Sequence, residues 1–262
     1  MDNTNNKAYW NNYVTYWENR VKETNEGKEK MDPTSDDVIL ETYYNKLKVE
    51  KGDFFLDYGC GSGRLFTIYS KEFGIDNNYF GIDVSGICLE HAQKISRGLE
   101  IGKNLKEFDG IHIPFDDDFF DKIICFGVFD VCNQEKVIRE LFRVLKVGGV
   151  LLITGKNNLY FEDDVAASMA EINARKKEHP NYFTDVHNFT IQLQHHNVKL
   201  LETYYFLRRG DFPRNQAVIG GILPDIFYEW AYLMEKTEKY KDSGYKKFSD
   251  KYSSVNGDKN GK

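Results

Sequence analysis

The stretch Phe54-Phe55-Leu56-Asp57-Tyr58-Gly59-Cys60-Gly61-Ser62-Gly63-Arg64 limits what this chain can fold into more than any other. Its continuous apolar start has the pattern of a short parallel strand covered on both faces, and residues 64–73 then resume with helix-compatible side chains. A strand, a turn and a helix are therefore predicted in that order. Glycines at 59, 61 and 63 permit positive φ and keep side chains away from a ligand, while the following helix offers unpaired amides at its positive end. Such a turn suits a nucleotide-like ligand. It is not the dinucleotide-binding G-x-G-x-x-G, because the third glycine comes one residue early and Arg64 stands in its place. No Gly-Lys-Ser/Thr follows, so it is not a phosphate-cradling P-loop either.

The chain around this turn alternates strand and helix patterns. Thr34 to Asp37 offer cap chemistry for a helix to about residue 47, and Tyr79-Phe80-Gly81-Ile82-Asp83 reads as a second strand ending in an acid. Ser85 can cap a helix to about residue 97, and strands are expected at 104–108, 119–126 and 150–154. Val137, Ile138, Leu141, Phe142 and Leu145 carry helical spacing between the last two. Residues 157–185 look like an insertion with a helix over about 161–177, followed by a helix at 187–196 and a sixth strand at 200–207. A seventh strand is expected at 217–223, and Pro224 is expected to open a final aromatic helix to about residue 234. The predicted class is α/β: a Rossmann-like doubly wound sheet, mostly parallel, with helices on both faces and ligands beyond the carboxyl ends of the strands.

Composition narrows the partners. The 262 residues suit one α/β domain, and 41% hydrophobic with 15% aromatic residues support a globular core. A net charge of −6 argues against a broad phosphate-binding surface, so no nucleic-acid partner is expected. Cys60, Cys88, Cys125 and Cys132 lack C-x-x-C spacing and read as reduced thiols of a cytoplasmic protein. No cationic, apolar leader is evident, and the apolar run at 217–234 is interrupted by Pro224, Asp225 and Glu229; neither secretion nor a membrane span is expected. Aromatics at Tyr9, Trp10, Tyr13, Tyr16 and Trp17 can line one helical face, as a docked helix or as a lid over residues 1–30. From residue 236 the chain is polar, and a mobile tail over 236–262 is expected.

Four motifs in sequence order resemble class I S-adenosylmethionine-dependent methyltransferases of the bacterial small-molecule type. They are Leu56-Asp57-Tyr58-Gly59-Cys60-Gly61-Ser62-Gly63, Gly81-Ile82-Asp83-Val84-Ser85, Asp109 through Pro114-Phe115 to Phe120-Asp121, and Leu141-Phe142-Arg143-Val144-Leu145-Lys146-Val147-Gly148-Gly149. The resemblance covers residues 43–154. It implies a seven-stranded sheet with an antiparallel last strand, in a methyltransferase domain over 31–235. The cofactor half would span about 43–155 and acceptor-side elements about 156–235. S-adenosylmethionine is the implied cofactor, with Asp83 on the ribose hydroxyls, Asp109 at the adenine amino group, the Gly59 to Gly63 backbone along the methionine portion and Asp57 near its ammonium. Cys60, Val84, Gly110 and Phe126 would complete its surroundings. An acid about 20 residues after the glycine turn also suits ribose binding on position alone.

Transfer from a sulfonium needs alignment more than a catalytic constellation. Asp130, just past the fourth strand, is the candidate general base or acceptor contact, with a helix cap as the alternative. Lys156-Asn157-Asn158 after the fifth strand lacks the second acid that metal-dependent relatives carry, so no metal site is expected. Arg208, Arg209 and Arg214 after the sixth strand suggest an anionic acceptor, phosphorylated or sugar-linked, and Tyr13 would join them from the aromatic segment. The expected reaction is methyl transfer to oxygen or nitrogen of a small molecule. A non-catalytic S-adenosylmethionine-binding regulatory protein is the alternative.

Overall fold

The computed structural model describes residues 37–74, 78–100, 103–239 and 244–256, with isolated positions at 19, 22 and 26. Tyr13 and, apart from those three positions, the expected lid over 1–30 lie outside the described residues. All four residues of β1 (Phe55–Tyr58) are buried, as a strand with helices on both sides requires. It pairs in parallel with β2 (Tyr79–Asp83) on one side and β4 (Phe120–Cys125) on the other. Beyond these, β3 (Leu105–Glu107) and β5 (Leu145–Lys156) extend the parallel half. Connections therefore diverge between β1 and β4, opening a crevice at the carboxyl ends of those two strands.

The other half of the sheet holds β7 (Val198–Phe206), β8 (Val218–Ile219) and β9 (Glu229–Lys236), in the overall order β3-β2-β1-β4-β5-β9-β7-β8. β9 is antiparallel to both β5 and β7, so the mostly parallel sheet carries its expected antiparallel member. On one face Phe55 packs with α1 (Asp37–Lys46), α2 (Arg64–Phe73) and α3 (Gly86–Ile95). On the other, Leu56 and Tyr58 meet α4 (Gln134–Val144) and α6 (Val186–His195). In α4 the residues Val137, Ile138, Leu141, Phe142 and Val144 are all buried, one stripe of a 3.6-residue period. Between them α5 (Val165–Lys176) occupies the expected insertion.

Three expectations near the end of the chain are revised. The aromatic run after Pro224 is not a helix but β9: Trp230, Ala231, Tyr232, Leu233 and Met234 are all buried between β5 and β7. A strand covered on both faces has no polar alternation, so its sequence cannot be told from a buried helix by period. The strand expected at 217–223 shrinks to β8, an edge piece paired with Tyr204 and Tyr205. The tail expected over 236–262 is likewise packed over residues 244–256. Lys236 itself is buried and donates to Asp118 at 2.6 Å and to the carbonyl of Phe142 at 2.8 Å. Further on, β10 (Ser249–Asp250) pairs with β6 (Phe183–Thr184), and the Phe248 ring sits 4.7 Å from that of Phe189. Glu171 on α5 accepts hydrogen bonds from Tyr160, Ser253 and Asn256. Glu135 and Glu171 hold this segment together with a few buried apolar residues, Phe248 and Val255 among them, so its polar composition gives no sign that it is packed. Among the described residues, no helix is long and apolar enough to cross a membrane.

Candidate functional site

The glycine turn is fastened to the end of β2. The amides of Gly59 and Cys60 donate to the Ile82 carbonyl at 2.8 and 3.0 Å, and Gly61 donates to Asp83 Oδ2 at 2.9 Å. Asp83 Oδ1 accepts from the Ser85 amide at 2.8 Å. The Val84 amide also bears on this carboxylate, and with two acceptor sites on each oxygen it keeps capacity for a further donor such as a ribose hydroxyl. The glycines differ in what surrounds them. A Cβ on Gly59 would fall 2.6 Å from Val128 Cγ2, whereas a Cβ on Gly61 would meet no protein atom within 4 Å. Gly59 is a packing glycine, and Gly61 borders open space. Gly63 leads into α2 with no side-chain cap, leaving first-turn amides for a ligand.

Asp57 is buried beneath the turn and accepts the Tyr79 hydroxyl at 2.7 Å. Burial raises its pKa from 3.8 to about 7, against the Tyr79 hydrogen bond, which lowers it. A ligand cation such as the expected ammonium would reverse that shift. Without ligand, the folded chain keeps a proton that the unfolded chain releases between 3.8 and about 7. Stability is therefore expected to fall as pH rises through this window, by up to about 1.4 kcal/mol per pH unit. Asp57→Asn should flatten the slope; urea midpoints of both proteins at about pH 5 and 7 check it, and parallel slopes would count against this assignment.

The remaining expected cofactor residues line the same edge. The Asp109 carboxylate folds back on its own turn, accepting from the amides of Ile111 at 2.8 Å and His112 at 2.7 Å, with the His112 ring at 2.6 Å. Partial burial opposes its ionisation, but the His112 and amide hydrogen bonds outweigh that and hold its pKa below the usual value. The carbonyl of Gly110 accepts the Tyr58 hydroxyl at 2.9 Å, and the Phe108 amide reaches the carbonyl of Asp83. Val84 and Phe126 are half-buried. Phe126 packs at a tilt against Tyr43 and Phe212 on the α1 side. Burial pushes the Cys60 thiol well up, consistent with a small packed loop residue rather than a nucleophile.

The acceptor-side residues are arranged differently from the sequence expectation. Asp130 lies in a short 3₁₀ turn after β4, where it is ion-paired with Lys156, the last residue of β5. Lys156 also donates to Asn181 at 2.9 Å. Arg208 forks onto Asp163 at 2.8 and 3.1 Å, an ion pair at the surface, with Phe161 beneath it. Arg214 stands 3.9 Å from Asp211. Arg209 alone of the three turns toward the β4–β5 end, donating to the Tyr228 hydroxyl at 3.0 Å. Sequence reasoning passed over Lys156 and Tyr228. The signal for Lys156 was its place at the end of the fifth strand, weighed only as a missing acid.

Residues 49–210 match the family model described as "Methyltransferase domain". The chain belongs to that family. Among curated relatives, the demethylmenaquinone methyltransferase of Lactobacillus johnsonii is 39% identical over 110 residues, covering 41% of this chain and 45% of that protein. The chain thus spans about half the length of the curated relatives it matches. Solved structures share the fold. The geranyl diphosphate C-methyltransferase of Streptomyces coelicolor has a TM-score of 0.55 at 15% identity, over 75% of this chain and 77% of that one. The [4+2]-cyclase SpnF has a TM-score of 0.54 at 16% identity, over 76% and 81%. A methyltransferase-domain fold therefore accommodates more than one reaction, and residues must decide.

Proposed function

We propose that this chain is an S-adenosylmethionine-dependent methyltransferase acting on a small organic acceptor. The observation that carries the reading is the pairing of an open cradle at Gly61 with the Asp83 carboxylate 2.9 Å from its amide. The backbone of Gly59 to Gly63 and the first-turn amides of α2 would hold the methionine end. Asp83 would bind the ribose, Asp57 the ammonium, and Asp109 with Gly110, Val84 and Phe126 the adenine side. When bound, S-adenosylmethionine supplies a methyl group on a cationic sulfur, a leaving group that needs no further activation. The protein's share is alignment and exclusion of water. Family membership supports the reading, as does a relative named demethylmenaquinone methyltransferase, and another named ubiquinone/menaquinone biosynthesis C-methyltransferase widens the expected atom from oxygen or nitrogen to carbon.

Asp83→Ala is expected to weaken S-adenosylhomocysteine binding at least about tenfold, since hydrogen bonds to a charged acceptor are worth about 1.5–3 kcal/mol. Calorimetry checks it. Unchanged affinity would remove the ribose assignment, and no binding to the wild-type protein would remove the whole reading. Release of S-adenosylhomocysteine across a panel of hydroxylated aromatics then separates turnover from mere binding.

A further inference from the structure

Resting on the methyltransferase reading, we infer that Lys156 is an acceptor-binding residue and that it takes an ionised hydroxyl, the oxyanion of a phenol or enol. Lys156 closes β5 and Asp130 follows β4, so the pair sits beyond the carboxyl ends of these two strands, and β4 is the neighbour of β1 and its glycine turn. An ammonium has three N–H groups. Asp130 and Asn181 take two, leaving the third uncommitted among the described residues. The Lys156 side chain is 22% exposed, so a ligand can reach a cation that is otherwise largely desolvated. Its charged or titratable surroundings are Asp130, Tyr228 and Arg209, with Glu229 opposite it in the β5–β9 ladder. Tyr228 accepts from Arg209 and keeps its own hydroxyl proton as a second donor.

The same geometry argues against a free base. The Asp130 carboxylate is paired with Lys156, so it acts as a positioning group. An acceptor that ionises on binding needs no base: its hydroxyl proton leaves to solvent, and the oxyanion is held by Lys156. The electron pair on that oxygen, or on a ring carbon conjugated with it, forms the new bond to methyl. The methyl–sulfur bond breaks with its pair retained by sulfur, and anion and cation become two neutral products. A phosphate suits the site poorly, because it wants several converging donors and Arg208 and Arg214 lie against Asp163 and Asp211.

4-Nitrophenol, whose ionised form absorbs visible light, tests this with the full-length protein saturated with S-adenosylhomocysteine. Titrated with excess protein, the bound dye is expected to ionise at least about one pH unit lower than free dye, a tenfold shift. Lys156→Met should abolish the shift, Lys156→Arg should keep part of it, and Arg208→Ala should leave it unchanged. Where the Met variant does not fold, Lys156→Gln carries the same expectation. If S-adenosylhomocysteine binds but the dye is not shifted, or is shifted equally by the Met or Gln variant, the inference is overturned while the methyltransferase reading stands. Failure of S-adenosylhomocysteine to bind the wild-type protein overturns both.

Discussion

Replacing Gly61 by valine is expected to abolish S-adenosylhomocysteine binding while the protein stays folded. Gly61 has φ +52°, and a Cβ there would project into space with no protein atom within 4 Å. The first carbon of a branched side chain would therefore meet no protein atom, and the branch would fill the cradle. The backbone strain of a β-branched residue at positive φ costs about 1–2 kcal/mol, a shift of a few degrees in melting temperature. The loss of affinity should be at least about a thousandfold, roughly 4 kcal/mol. Gly61→Ala separates the causes, because it carries most of the strain and little of the bulk. Calorimetry on both variants decides: a valine protein that binds within about tenfold of wild type would mean that the ligand lies elsewhere.

The other large effect is expected at Glu171→Ala, far from the glycine turn. The Glu171 side chain is fully buried and accepts from the Tyr160 hydroxyl at 2.7 Å, the Ser253 amide at 3.0 Å, the Ser253 hydroxyl at 2.6 Å and Asn256 at 2.8 Å. It also pairs with Arg175. Alanine would leave a cation and several donors buried without their acceptor, a loss of about 3–5 kcal/mol. In a chain of this size that is a fall in melting temperature of roughly 10 °C. Equilibrium denaturation measures it, and a loss under about 1 kcal/mol would show that the C-terminal segment contributes little. Glu171→Gln should recover part of the loss, since it keeps one acceptor oxygen.

What the sequence made legible followed from local pattern. The unbroken apolar start of β1, the alternate glycines and the 3.6-residue stripe of α4 each state their structure within about a dozen residues. The place of Asp83 at the end of β2, against the glycine turn, was readable because its distance from the turn is set by one crossover. β9 was not, because being buried on both faces erases the alternation that marks a strand. Nor could the sequence show where charges go. Asp130 and Lys156 are 26 positions apart by number, and only the adjacency of β4 and β5 brings them together. Arg208 looked like a ligand-binding guanidinium until the fold placed Asp163 beside it. The polar composition after residue 236 hid a segment whose anchors, Glu135 and Glu171, lie on helices far upstream.

The position of β9 sets an order of assembly. It lies between β5 and β7 yet follows both in the chain. As the chain leaves the ribosome, β1 to β5 can pair as soon as residue 156 is available, but β7 then has only the two-residue β8 to join and cannot reach β5. Until Glu229 to Lys236 appear, the twelve-residue β5 presents an open edge of leucine, isoleucine and valine. Such edges recruit strands from other chains, and the wait spans roughly 70 residues of synthesis, seconds at ordinary rates. Truncations that remove β9 should therefore yield aggregates rather than a soluble half-domain, even though every residue of the glycine turn is present.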